Sequence, residues 1–86
     1  MKHELKIWPQ YFCRVVDGSK TFEVRNNDRG FQCGDEVTLR EFDPTPSVVS
    51  VRPLGYTGNK ISLKIGFVLP IEGERVVFSL LKMEAV

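Results

Sequence analysis

The chain has 86 residues, of which 42% are hydrophobic and 27% are charged, and this is typical of one small globular domain. Twelve Lys and Arg against eleven Asp and Glu give a net charge of +1, which excludes nucleic-acid binding through bulk charge alone. The sequence has no apolar run long enough to span a membrane and does not open as a secretory signal. We therefore expect a single monomeric domain over residues 1–86, cytoplasmic and without a membrane partner.

The few cysteine and histidine residues restrict the chemistry. Cys13 and Cys33 are far apart and form no Cys-x-x-Cys pair, so we expect neither a zinc site nor a disulfide, and we predict two buried thiols. His3 is the single histidine, and we expect it at a strand edge or in a structural role rather than in catalysis. The sequence lacks a glycine-rich phosphate loop, and we expect no metal and no cofactor.

Alternation of apolar and polar residues predicts five strands and one helix. The helix begins after Pro9, which suits a first helical position, and ends at Gly18, since glycine readily adopts the left-handed conformation. Its apolar stripe is Phe12, Val15 and Val16. The predicted strands cover residues 3–8, 21–25, 36–42, 60–69 and 75–83, and the helix covers residues 10–17.

The stretch of residues 43–59 separates two of these strands and is rich in proline. Val48–Val51 is a candidate sixth strand, and Tyr56–Asn59 is predicted to be a turn. In the strand that follows, we expect every second residue from Ile61 to Leu69 on one apolar face, with Val68 opposite. Together the elements predict an α+β domain, in which a small curled β-barrel of five to six strands packs against one short N-terminal helix.

Three ionisable residues follow the helix directly. On a strand, Glu23 and Arg25 share a face about 7 Å apart, and Lys20 at the preceding turn can reach the same region. A carboxylate between two cations stays ionised, and the cations keep spare donors for an external anion such as phosphate. The alternative is an ordinary solvated charge pair.

Four more residues are candidates for ligand contacts. Trp8 and Tyr56 can stack a base, Arg29 can extend a positive rim, and Asn26 can bond a base edge. Their alternative roles are a core tryptophan and ordinary surface or turn residues.

The spacing Gly18-x-Lys20-x-x-Glu23-x-Arg25 resembles the signature of the ASCH domain, a branch of the PUA-like superfamily. The sequence from Lys20 to Arg29, followed by Phe31, is similar to a narrower group of PUA/ASCH-like proteins that is frequent in phages and mobile elements. The resemblance implies a curled barrel with a cleft beside the helix. Lys20, Glu23 and Arg25 would line the cleft, and Gly18 would make the turn into it. The ligand it implies is RNA or a nucleotide.

The same resemblance leaves enzymatic activity open. Glu23 stands where the branch that acts on acetylated cytidine has a threonine nucleophile, so that activity is not expected here. A slow ribonuclease would use Glu23 or Lys20 as the base on a 2′-hydroxyl, with Arg25 and Lys20 stabilising the phosphorane charge and no histidine to protonate the leaving group. A nucleoside-modifying hydrolase of the ASCH type is the other enzymatic alternative. A third alternative is a protein-interaction factor of a phage or mobile element, with which the near-neutral charge and the proline-rich 43–59 loop are compatible.

Overall fold

Five strands and one helix make up the described part of the chain. The computed structural model describes residues 1–44 and 55–83. The predicted segments are recovered with small shifts at their ends, except at the start of the fourth strand, and the strand predicted over Val48–Val51 lies outside the described residues. In chain order the elements are β1 (Lys2–Ile7), α1 (Pro9–Val16), β2 (Phe22–Asn26), β3 (Glu36–Phe42), β4 (Tyr56–Pro70) and β5 (Arg75–Lys82).

The strands form one sheet in the order β1-β3-β4-β5-β2. The β1–β3 pair is parallel and the other three pairs are antiparallel. This order puts β1 and β2 at opposite edges, yet Arg25 on β2 donates a hydrogen bond to the Lys6 carbonyl of β1 at 2.6 Å. The sheet is therefore curled into a half-barrel, and the predicted α+β class with one short helix is confirmed.

The concave face of the sheet carries the core. Alternation turns every second residue of a strand inward, and in β1 the inward residues include Leu5 and Ile7. Phe78, Leu39, Ile65 and Val37 are the most deeply buried side chains. The rest of the core comprises Leu5, Ile7, Phe12, Val15, Phe31, Leu63, Val76 and Leu80.

Helix α1 contributes Phe12 and Val15 to this core, as the apolar stripe predicts. The third residue of the stripe, Val16, is 54% exposed, so that part of the prediction is wrong. A helix of eight residues makes little more than two turns, and only a narrow part of its surface reaches the sheet. No helix within residues 1–44 and 55–83 is long and apolar enough to span a membrane.

The two cysteines are free thiols at the surface, so the prediction that they are buried is wrong. Cys13 follows the inward-facing Phe12 on α1, and one residue along a helix rotates the side chain by about 100°. Cys33 lies in the turn before β3, where its side chain is exposed.

A β-bulge reverses the orientation of the second half of β4. From Ile65 to Val68 the strand advances three residues while β5 advances two. The extra residue turns Val68 toward the core and leaves Phe67 65% and Leu69 49% exposed. The expected single apolar face from Ile61 to Leu69 is therefore wrong beyond Ile65.

Alanine substitutions on either side of this bulge test the reversed orientation. We expect Val68→Ala to lower the free energy of unfolding by about 1 kcal/mol, because it removes two methyl groups from a partly buried site. The larger truncation Phe67→Ala should change it by less than about 0.5 kcal/mol, because that ring is mostly in water. Urea unfolding of both variants checks the order, and a larger loss for Phe67→Ala would contradict the bulge.

Strand β4 begins at Tyr56, so the turn predicted over Tyr56–Asn59 is also wrong. A second irregularity lies opposite, where Arg40 pairs with Lys60 but Phe42 pairs with Tyr56. Gly55 precedes the strand with a φ of +99°, and a Cβ there would overlap the Phe42 ring. Tyr56–Asn59 therefore form the irregular first part of β4 rather than a turn. The connection between β3 and β4 ends at residue 55.

Candidate binding cleft

The gap between the two edge strands forms the site. Edge strands carry unpaired backbone donors and acceptors, and β1 and β2 face one another across an open seam. The guanidinium of Arg25 crosses this seam to the Lys6 carbonyl. One side chain thus closes the half-barrel where a row of backbone hydrogen bonds would close a complete barrel.

A cleft of about 520 Å³ opens along this seam beside α1. Its volume is within the range of small-molecule sites in proteins. Aromatic rings and cations face the same space, which suits a ligand with a flat apolar part and an anionic part. The lining residues are Lys6, Ile7, Trp8, Tyr11, Lys20, Phe22, Glu23, Val24 and Arg25.

Lys20, Glu23 and Arg25 form a linked charge cluster in the wall of the cleft. The Lys20 ammonium contacts one oxygen of Glu23 and also donates to the Phe22 carbonyl at 2.6 Å. The Arg25 Nε donates to the other Glu23 oxygen at 2.9 Å. Strand alternation accounts for the shared face of Glu23 and Arg25, and the turn before β2 brings in Lys20.

This cluster buries its carboxylate and leaves its cations at the surface of the cleft. The Glu23 side chain is 6% exposed, whereas those of Lys20 and Arg25 are 19% and 28% exposed. An ammonium has three donors and a guanidinium has five, so both groups keep donors beyond those used in the cluster. Both oxygens of Glu23 already accept hydrogen bonds, and the arrangement is therefore better suited to holding an anion than to removing a proton.

Strand β2 has an inverted polarity, since its charged face points inward. Phe22 and Val24 on the opposite face are 46% and 37% exposed. The Lys20 ammonium lies 5.1 Å from the centre of the Phe22 ring, within the distance for a cation–π contact. An edge strand that lines a seam can place charge inward because the seam is open to water.

A second pocket of about 420 Å³ adjoins the cleft and shares Lys6 and Arg25 with it. It is strongly cationic, because Arg29 and Arg40 also line it, and among the described residues Glu4 is its single carboxylate. The Arg40 guanidinium lies 4.0 Å from the centre of the Tyr56 ring, and Leu5 and Tyr56 complete the lining.

Comparison with known proteins places the chain in a family. The family described as "Domain of unknown function (DUF3850)" matches residues 2–79. The chain belongs to the DUF3850 family. It is also 35% identical over 63 residues to the "Uncharacterized 12.9 kDa protein in GpA 3'region" of Escherichia phage P2, covering 73% of this chain and 50% of that protein. The chain thus spans about half the length of that phage relative.

The sequence-predicted site residues of this DUF3850 chain fall into three groups. Trp8, Lys20, Glu23 and Arg25 line the cleft, and Arg29 and Tyr56 line the second pocket. Gly18 and Asn26 line neither: Gly18 makes the turn before β2 with a φ of +85°, and Asn26 is exposed at the end of that strand.

Sequence reasoning missed two polar residues that line the cleft, Lys6 and Tyr11, and three apolar ones, Ile7, Phe22 and Val24. Alternation puts Lys6 on the face of β1 opposite Leu5 and Ile7, and its position at the seam depends on strand order. Tyr11 lies beside the apolar stripe of α1. Its aromatic ring, on the helix that precedes the Gly18 turn, was the signal that could have identified it as a ligand contact. The Lys20 ammonium is 6.0 Å from the centre of its ring.

The single histidine of this DUF3850 chain belongs to a separate buried cluster. The His3 Nε2 and Asp35 Oδ2 lie 2.9 Å apart, and Asp35 also accepts from the Met1 amino group and the Gln32 N–H. The hydrogen bond from His3 is the main reason that the pKa of Asp35 lies below its ordinary value, against the opposing effect of burial. His3 packs edge-on against Phe31 and does not line the cleft.

Proposed function

We propose that this DUF3850 domain binds RNA or a nucleotide in the cleft between β1 and β2. The observation that carries the proposal is the pairing of two partly exposed cations, Lys20 and Arg25, with the rings of Trp8 and Tyr11 in one open cleft. Guanidinium and ammonium groups bind phosphate, and aromatic rings stack on unpaired bases. The match to the ASCH signature supports the same ligand, since those positions form the charge cluster.

Cleavage of RNA or of a modified nucleoside has less support. Glu23 would have to act as a base, but both of its oxygens accept from cations. His3 is paired with Asp35. The phage relative supports a role in a phage or mobile element, which is compatible with a binding function.

Trp8 provides a direct test, because it is the sole tryptophan and lines the cleft. We expect uridine 5′-monophosphate to change Trp8 fluorescence in a saturable way and uridine to do so much more weakly. Lys20→Gln and Arg25→Gln should each raise the Kd for the nucleotide about tenfold or more, because each removes a charge-assisted hydrogen bond.

Arg14→Gln is the matched control, since Arg14 is an exposed cation of α1 that does not line the cleft. Its Kd should equal that of the unmodified chain. Circular dichroism of each variant establishes that the sheet is intact. If folded Lys20→Gln and Arg25→Gln bind the nucleotide as tightly as the unmodified chain, the proposed site is wrong.

A further inference from the structure

Three cations stand in a row across the outer face of the sheet. Lys6 of β1 is directly opposite Arg40 of β3, and Arg40 is directly opposite Lys60 of β4. All three alternate with inward-facing core residues, so their side chains leave the sheet on the same side. Neighbouring strands are about 4.8 Å apart, so the row spans about 10 Å between the backbones of Lys6 and Lys60.

This row is unfavourable for the fold itself. Like charges directly opposite one another in a sheet repel and destabilise the pairing. Within residues 1–44 and 55–83, no carboxylate oxygen lies within 4 Å of the charged nitrogens of these three cations. Glu4 lines the pockets beside Arg40, and Glu41, which follows Arg40 on β3, accepts hydrogen bonds from Thr57 and Asn59 instead.

Aromatic rings hold two of these cations in place without neutralising them. The Lys6 ammonium lies 4.6 Å from the centre of the Phe42 ring, and the Arg40 guanidinium lies 4.0 Å from that of Tyr56. A ring can position a cation while leaving most of its donors open. The row is therefore arranged to present positive charge outward.

The row is continuous with the cleft. Arg25 lines the cleft and donates to the carbonyl of Lys6, the first cation of the row. The second pocket shares both residues and extends to Arg40, and a third pocket extends from Arg40 to Lys60. An anion bound by Arg25 thus has further cations within reach along one direction.

We propose that the row of Lys6, Arg40 and Lys60 binds successive phosphates of a single-stranded nucleic acid that runs on from the cleft. The inference rests on the proposed function of the cleft, and it makes the ligand an oligonucleotide rather than a mononucleotide. Trp8 in the cleft and Tyr56 beside the row are spaced along this path, as suits unpaired bases that stack on separate rings.

Titration of the full chain with unlabelled oligouridylates of one to six nucleotides tests the row, with Trp8 fluorescence as the readout. We expect affinity to rise about tenfold or more from one to about four nucleotides and then to level off, because the row ends at Lys60. In Arg40→Gln combined with Lys60→Gln, the gain with length should fall to less than about threefold. The slope of log affinity against log salt should also fall by about 1.4, for two lost phosphate contacts.

Lys64→Gln is the matched control, because Lys64 is on the same outer face of β4 but opposite Glu36. It should keep the full gain with length. If the unmodified chain binds the mononucleotide but gains nothing with length, the row is wrong and the cleft stands. If length increases affinity through Arg40 and Lys60 while Lys20→Gln and Arg25→Gln have no effect, the cleft is wrong, and the row binds a strand that does not run on from it. If no oligonucleotide binds, both are wrong.

Discussion

Glu23→Gln is expected to lower the free energy of unfolding by about 2–4 kcal/mol, although it preserves the size of the side chain. The carboxylate is buried between Lys20 and Arg25, and both cations lose their counter-charge when it becomes an amide. Breaking a buried ion pair costs about 3–5 kcal/mol, and we expect somewhat less because the two cations retain access to water. Urea unfolding at neutral pH measures the change.

Added phosphate should distinguish this explanation from a simple packing defect. In Glu23→Gln the unpaired cations form a stronger anion site, so millimolar phosphate should raise the melting temperature of the variant more than that of the unmodified chain. Glu36→Gln is the control, because its pair with the exposed Lys2 is long, at 3.9 Å, and its loss should cost less than about 0.5 kcal/mol. Equal losses in the two variants would show that Glu23 is not a buried counter-ion.

Asp35→Asn is expected to cost about 1–3 kcal/mol at neutral pH, because it leaves the buried His3 with a weaker partner. The effect should depend on pH. The hydrogen bond from His3 holds the pKa of Asp35 below its ordinary value, so the stabilisation is present above about pH 3.9 and is lost as the pH falls through the lowered pKa. The stability curve of Asp35→Asn should therefore fall less steeply in acid.

Asp17→Asn serves as the matched control for this measurement. The hydrogen bonds from Ser19 also lower the pKa of Asp17, but that carboxylate is exposed at the end of α1. Water screens this exposed carboxylate, so its replacement should change neutral-pH stability little and flatten the acid limb of the curve less than Asp35→Asn does. A steep acid limb that survives in Asp35→Asn would assign the acid sensitivity to other carboxylates.

Local pattern was sufficient for much of the fold. Pro9 and Gly18 marked the ends of α1, because each restricts or permits a backbone conformation at its own position. Alternation along residues 3–8 and 36–42 identified two core strands and their inward faces. The same alternation placed Glu23 and Arg25 side by side, so the composition of the charge cluster was readable before its geometry was known.

Features that depend on strand pairing and register could not be predicted from the sequence. The bulge after Ile65 adds one residue opposite β5, and nothing in an alternating apolar run marks where the alternation will shift. The inward turn of Glu23 depends on β2 being an edge strand at an open seam. The row of Lys6, Arg40 and Lys60 can be recognised only when the registers of β1 with β3 and of β3 with β4 are both known. The first of these pairs is parallel, and sequence spacing does not specify its register.

The pairing of β2 with β5 also affects the order in which the sheet can form. Phe22 pairs with Ser79 and Asn26 pairs with Arg75, so the strand that carries the charge cluster meets its neighbour only across some fifty residues of chain. Closing so long a loop is entropically costly, and contacts this distant in sequence are typical of slowly folding β-proteins. During synthesis the charge cluster therefore remains without its supporting neighbour until β5 has been made, and the cleft is completed late in folding.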